Sequence, residues 1–376
     1  MRIINGDVFD VARGFVSREV CISGGKIAET CADGTVLDAK DCYVIPGLVD
    51  LHFHGCKGED FSDGSLAGLR KMAEYELIQG VAYICPAGMT LPEEQLTQVC
   101  ETAARYQAEG GPGAELVGVN LEGPFLSAAK KGAQNGAYLH APDLAMLERL
   151  QTAANGLVKL VTVAPEEPGA IEFVRKASQK GITVSVGHTT ADYDTARAAF
   201  SAGARQVTHL FNAMPSFTHR APGVVGAAFD HPEVRAELIC DGVHIHESVV
   251  RAAFQLFGPG RMVLISDTMR AAGMPDGQYS LGGLDVTVNG KLAALEDGTI
   301  AGSATNLMDC LRTAVSFGIP LHHAVRAASF NPAVALHMQH RIGSIAPGMD
   351  GTVVLLEKRD LSIRAVVFRG DLVSAG

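Results

Sequence analysis

The 376-residue chain has no apolar run long enough to span a bilayer, no basic run, no Cys-x-x-Cys pair and no low-complexity segment. Each absence removes a class of protein. Without an apolar span there is no transmembrane helix, and the opening MRIINGDVFD lacks the basic and apolar regions of a secretory signal, so a cytosolic location is expected. A formal charge of −10 without a basic cluster argues against nucleic acid or an anionic membrane surface as a partner. The eight cysteines (21, 31, 42, 56, 85, 100, 240 and 310) are scattered, and are expected to be reduced, buried thiols rather than a disulfide framework or a zinc finger.

What is present is a chain with 47 % hydrophobic residues, enough for a large core, whose length suits one large barrel and something smaller. Residues 1–46 offer short strand candidates punctuated by turns: MRIIN, then REVCISGGKIAE with Gly24 and Gly25, then TVLDA. The stretch from about Ile342 to residue 376 is similar, with GTVVLLE and RAVVFRGDLV. Two strand-rich ends around an alternating middle predict a small β-sandwich built from residues 1–46 and 342–376, enclosing a domain of residues 47–341.

That middle alternates strands with amphipathic helices. Strands are expected near 48–54, 81–86, 115–121, 158–164, 182–187, 205–210, 236–240 and 261–266, the number that closes a (β/α)8 barrel. In TADYDTARAAFSAG, Tyr193, Ala196 and Phe200 share a helical face, Gly203 ends it, and Thr189 or Thr190 is the expected cap. YSLGGLDVTVNGKLAALEDGT breaks the rhythm, and its alternation around Asn289-Gly290 predicts a β-ribbon.

Five of the strand candidates end in an imidazole or a carboxylate. These are His52 and His54 in LVDLHFHG, Glu122 in VGVNLEGPF, His188 in TVSVGHT, His209 in QVTHLFNAM and Asp267 in MVLISDTM. A buried parallel strand delivers such a group to its carboxyl end, where barrels of this kind build their sites. One histidine on an apolar run is usually a hydrogen-bonded core residue. Five runs ending this way, with His52 and His54 two apart on one strand face, point instead to a metal centre.

Neutral imidazoles with a carboxylate suit Zn²⁺ or Fe²⁺, and the lack of thiolates argues against a purely structural zinc. Glu122, His188 and His209 supply three ligands and leave room for a water. His52 and His54 offer a second metal position, with Glu122 between the two. A divalent ion there activates water and polarises a carbonyl, as amide hydrolysis requires. Asp267 is placed to take the water's proton and return it to the departing amine.

HxH after the first strand, LEGPF, VGHT, THLFNAM and ISDTM, in this order, resemble the N-acetylglucosamine-6-phosphate deacetylases of the amidohydrolase superfamily. The resemblance covers nearly the whole chain, and LEGPF with THLFNAM is far more specific than HxH. It implies Glu122, His188 and His209 as principal metal ligands, Asp267 as general base and acid, and His52 and His54 as second-metal positions that only some members retain. One or two ions per subunit follow. It also implies an amino-sugar phosphate as substrate, with phosphate held by Asn212 and the Ala213 amide, by His244 of the DGxH segment, and by Arg220 from the neighbouring subunit of a homodimer. An arginine fork and backbone donors suit a phosphate. Gln134 stands where many relatives carry a histidine that polarises the acetamide carbonyl, and it offers a neutral hydrogen bond in place of a charge. Cys56 is expected to be a buried, inert thiol, and His246 has no assigned role.

The motifs do not separate the gluco- from the galacto-configured sugar. Other classes stay in view. Cyclic-amide hydrolases such as dihydroorotase bridge two metals with a carboxylated lysine at the end of the fourth strand, whereas Lys159 lies near the beginning of that run. Deaminases of the superfamily share HxH, His188, His209 and Asp267 but have no use for Glu122 in LEGPF. A scaffold that has lost its chemistry would typically have lost ligands as well, and this chain keeps them.

Overall fold

The strand Cys42–Pro46 pairs in parallel with Asp7–Asp10 and antiparallel with Val353–Glu357, which joins the two ends of the chain in one sheet. The computed structural model describes residues 1–31 and 34–375. That sheet has six strands, continuing through Ile363–Phe368 to Asp371–Ala375 on one side and to Gly14–Ser17 on the other. A four-stranded sheet of Lys26–Ala28, Val20–Ser23, Arg2–Ile4 and Val36–Asp38 packs against it. Alternation explains the pairing, because Val20 and Ile22 point inward to meet Val8, Val44, Val353 and Leu355 in a shared core. Gly24 and Gly25, with φ of +56° and +73°, make the two-residue turn that a side chain would strain.

The expectation of reduced thiols fails at one pair. Cys21 and Cys31 form a disulfide with their Cα atoms 4.8 Å apart. Ten residues separate them in sequence, and the hairpin of Val20–Ser23 and Lys26–Ala28 folds the chain back so that they meet. The other six cysteines are free and buried.

The fold is a (β/α)8 barrel carrying this β-sandwich. Its strands are Leu48–Asp50, Val81–Ile84, the interrupted pair Glu115–Leu116 and Val119–Leu121, Val158–Val163, Thr183–Val186, Gln206–Val207, Arg235–Ile239 and Met262–Ile265. Val161, Val163, Val184, Val186 and Val207 are fully buried, since helices cover the outside while neighbouring strands fill the inside. Parallel ladders run from strand to strand. Closure between the eighth and the first comes from the segments just beyond them, where the Asp267 amide donates to His52 O at 2.9 Å and the His54 amide to Thr268 O at 2.7 Å. Three site residues, His52, His54 and Asp267, are therefore part of the seam.

The helix after the fifth strand spans Tyr193–Ala202 and buries Ala196, Ala199 and Phe200, as its periodicity predicts. Its N-cap is Asp192, which accepts from the Thr195 amide at 2.9 Å, and not Thr189 or Thr190. Both threonines are engaged elsewhere, on the carboxylate of Glu166. The expected ribbon is present as Gly277–Leu281, Leu284–Asn289 and Leu292–Ala294. Its first turn uses Gly282 and Gly283, both at positive φ, and its second uses Gly290 and Lys291.

Candidate metal centre and substrate pocket

Three of the strand ends turn sharply to present their side chains. His188, His209 and Asp267 have φ of +47°, +29° and +49°, conformations that cost a non-glycine residue on the order of 1 kcal/mol or more and that cluster at functional sites. The ladders fix the strands below, so the turns hold.

Glu122 is the centre of the group. Its Oε1 lies 3.0 Å from His209 Nε2 and 3.2 Å from both His188 Nε2 and His52 Nε2. Its Oε2 lies 3.2 Å from His54 Nε2, which in turn is 3.2 Å from Asp267 Oδ1. Two triads therefore share one carboxylate: His52, His54 and Glu122 on one side, and Glu122, His188 and His209 on the other. All five of these residues are buried.

These residues fit a divalent cation on three grounds. The Nε2 atoms of His188 and His209 are 3.0 Å apart and both face Glu122 Oε1, so their lone pairs converge on one point. His52 Nε2 is buried and has no hydrogen-bond partner. The cluster also attracts positive charge: burial works against protonation of His54, yet the Asp267 and Glu122 carboxylates beside it push it up to about 10. An environment that draws a proton onto a buried imidazole draws a metal ion for the same reason.

The far side of three of the four rings is held as well, while His209 Nδ1 is buried without a hydrogen-bond partner among the described residues. His54 Nδ1 meets Ala87 O at 3.1 Å, His188 Nδ1 meets Lys130 O at 2.9 Å, and His52 Nδ1 meets Glu237 Oε2 at 2.9 Å. Such partners fix the tautomer that leaves Nε2 free to coordinate. Asp267 is buried, which alone would raise it, but the His54 hydrogen bond and the charge of His52 and His54 hold it below the usual carboxylate range. It is ionised at neutral pH, as a proton acceptor must be.

The cluster opens into a cavity of about 410 Å³, whose walls include Gln134, Asn212, Ala213 and His244. Gln134 is buried and engaged at both ends, donating to Glu122 Oε2 at 2.6 Å and accepting from the Thr90 amide at 2.7 Å. His244 is held through Nδ1 by Asp241 Oδ2 at 2.7 Å. Burial would raise Asp241, but the His244 ring and the His244 and Val243 amides carry it down to about 2. Arg220 is exposed and is not among the residues lining the cavity.

Other residues resolve simply. Cys56 is fully buried, and burial together with Glu76 pushes its thiol up, so it is inert. His246 caps the helix Glu247–Phe257 through the Ser248 amide. Lys159 Nζ reaches Gly156 O near the start of its strand, away from the metal residues, which removes the carboxylated-lysine arrangement. Sequence reading missed Glu237, Glu166 and Asp241. Glu237 had one visible sign, a charged residue inside the apolar run AELIC, which is rare unless it is partnered.

Comparison with known proteins agrees with this architecture. Residues 43–373 match the Amidohydrolase family, and the chain belongs to it. Among curated relatives, N-acetylglucosamine-6-phosphate deacetylase of Bacillus subtilis (strain 168) is 36 % identical over 336 residues, covering 88 % of this chain and 85 % of the relative. Within the family, then, the chain groups with the N-acetylglucosamine-6-phosphate deacetylases. N-acetylgalactosamine-6-phosphate deacetylase of Escherichia coli O157:H7 is also similar, at 34 % over 330 residues, 88 % of this chain and 87 % of the relative. Among solved structures, a mutant N-acetyl-D-glucosamine-6-phosphate deacetylase from Mycobacterium smegmatis in complex with N-acetyl-D-glucosamine-6-phosphate superposes with a TM-score of 0.92. It is 33 % identical and covers 100 % of this chain and 99 % of its own.

Proposed function

We propose that the chain hydrolyses the acetamide of N-acetylglucosamine 6-phosphate to glucosamine 6-phosphate and acetate, a step of amino-sugar catabolism. The observation that carries this reading is Glu122 set among four histidine Nε2 atoms at 3.0 to 3.2 Å, with Asp267 against His54, at the floor of a sugar-sized cavity.

Glu122, His188 and His209 would hold one divalent ion, Zn²⁺ or Fe²⁺, and His52 with His54 a second, with Glu122 common to both. A divalent ion at these ligands supplies water activation near neutral pH and polarisation of the acetamide carbonyl. Asp267 accepts the proton of the attacking water as oxygen bonds to the carbonyl carbon. It then delivers that proton to the amine nitrogen as the C–N bond breaks, so the leaving group departs neutral. Gln134 braces Glu122 through its amide and, from the cavity wall, is assigned to the acetamide carbonyl in this reading.

Asn212, the Ala213 amide and His244 bind the phosphate in this reading, and Arg220 of a second copy completes the site of a homodimer. The exposure of Arg220, outside the cavity of its own chain, supports that assignment. Residues 1–46 with 342–376, and residues 47–341, are taken as the two domains. Among the described residues no helix is long and apolar enough to cross a membrane, and a cytoplasmic location is proposed on the six free thiols, against the one Cys21–Cys31 disulfide. The similarity to the Escherichia coli relative keeps the galactosamine epimer as a second reading. Acetate release from the two 6-phosphates, before and after chelation, tests both. Equal inactivity on both sugars with zinc or iron restored would remove the deacetylase reading.

A further inference from the structure

Glu237 has no part in the reaction above, yet it is the fully buried carboxylate nearest to the His52 ring. It lies in the seventh barrel strand, Arg235–Ile239. Its Oε2 accepts from His52 Nδ1 at 2.9 Å and from the His209 amide at 3.2 Å, and its Oε1 accepts from Gln206 Nε2 at 2.5 Å. The amide donors are neutral. Among the described residues no lysine or arginine pairs with it, and its ion-pair partner is His52 alone.

A carboxylate taken fully out of water is strongly disfavoured unless positive charge compensates it. Here the compensation has to come through the imidazole. His52 donates a hydrogen bond from its Nδ1–H to Glu237 and turns Nε2 toward Glu122 Oε1, 3.2 Å away. A ring bonded to a carboxylate is a stronger donor at its other nitrogen than a ring bonded to a neutral carbonyl. His54 and His188 have only the carbonyls of Ala87 and Lys130. The rings therefore differ in kind: His52 has a fixed anion on its Nδ1, whereas Glu237 reaches the other half only at the His209 backbone amide.

We infer that Glu237 is a positioning residue that makes His52 and His54 a divalent-cation position in their own right. It acts through the His52 ring, by charge as well as by orientation. The Glu122, His188 and His209 position does not depend on that charge. This rests on the metal reading proposed above.

The test is equilibrium dialysis of the chelator-stripped full chain against buffered Zn²⁺, with bound zinc counted by elemental analysis, for wild type, Glu237→Gln and His52→Gln. The glutamine keeps the shape and, with a flip of the Gln206 amide, every hydrogen bond, so only the charge is removed. The expected result is two ions per wild-type chain. The ion that His52→Gln removes should lose about ten- to a hundredfold in affinity in Glu237→Gln, with the other unchanged within about threefold. Retention of both affinities within about threefold overturns the proposal, and so does an equal loss of both. A wild-type chain that binds one ion regardless of His52→Gln overturns it too, and leaves the deacetylase reading standing. No zinc uptake at all removes that reading itself. Should Glu237→Gln not fold, ¹⁵N spectra of the zinc-loaded wild type decide. With His52 assigned by its absence in His52→Gln, its ring must carry the proton on Nδ1, and a proton on Nε2 overturns the proposal.

Discussion

Glu166 and Thr189, at the ends of neighbouring barrel strands, are joined by a hydrogen bond from the threonine hydroxyl to the carboxylate. The same carboxylate accepts from the Thr190 amide and hydroxyl. Thr189 follows His188 directly, and its own amide donates to Ala213 O at 3.0 Å. One acidic side chain thus braces the turn that presents His188, and through Thr189 the turn that carries Asn212 and Ala213.

Glu166→Ala should therefore affect metal ligation and phosphate binding together. Losing a charge-assisted hydrogen bond costs about 1.5 to 3 kcal/mol, so kcat/KM for the phosphorylated sugar should fall by roughly ten- to a hundredfold. Zinc affinity measured by dialysis should weaken in the same variant. Steady-state parameters within about twofold of wild type would show that the turn holds without this brace.

Asp267→Asn tests the proton transfer. Asparagine keeps the shape and the seam hydrogen bond made by the backbone of residue 267, but it cannot accept the water's proton. The variant should fold and bind metal while turnover drops by about 10² or more, the usual worth of general acid-base catalysis. Turnover within about tenfold of wild type, with zinc content unchanged, argues that another group takes the proton.

Those two carboxylates also mark the boundary of what the sequence discloses. Asp267, Glu122 and the four histidines were legible because a buried parallel strand makes a long apolar run, and a polar residue that ends one stands out. Strand spacing marked the barrel, and the alternation around Asn289-Gly290 marked the ribbon, in the same local way. Glu166 and Glu237 were not legible, because their meaning lies in partners on other elements: Glu166 meets Thr189, and Glu237 meets His52 across 185 residues. Asp241 is different, since its partner His244 is three residues away and was within reach of a local reading. The wrong helix cap has the same origin. Thr189 and Thr190 are good caps by residue type, but Glu166 takes their hydroxyls and leaves the cap to Asp192. The Cys21–Cys31 bond depends on a hairpin that brings the two residues together, which scattered spacing does not reveal.

Glu76 predicts a pH dependence of stability. It is buried in the helix Leu66–Ile78, and neither carboxylate oxygen has a hydrogen-bond partner. Burial, reinforced by the charge of Asp50, pushes it up to about 8 from an ordinary 4.5. The folded chain then keeps a proton that the unfolded chain releases as pH rises past 4.5. Stability from this group is complete below that value and is lost as pH climbs to about 8. At roughly 1.4 kcal/mol per unit, the loss amounts to a few kcal/mol. Glu76→Gln cannot titrate, so its urea-unfolding free energy should vary less between pH 5 and 8 and exceed that of wild type at the upper end. Parallel pH profiles for the two proteins would assign the titration elsewhere.

Arg220 carries the last prediction. Arg220→Ala should impair use of N-acetylglucosamine 6-phosphate far more than slow turnover of the unphosphorylated sugar, because only the former presents a dianion. The expected fall in kcat/KM is roughly ten- to a hundredfold, the worth of a charge-assisted hydrogen bond. If the arginine serves the neighbouring subunit, mixing Arg220→Ala with Asp267→Asn becomes decisive. In a mixed dimer one site combines an intact Asp267 with the partner's intact Arg220, while the other carries both lesions. Half of the dimers are mixed after free exchange, and each has one sound site of two, so activity should recover to about a quarter of wild type per subunit. Exchange is followed by native mass spectrometry. Activity no greater than the sum of the two separate variants, with exchange complete, would place Arg220 in its own chain's site or in none.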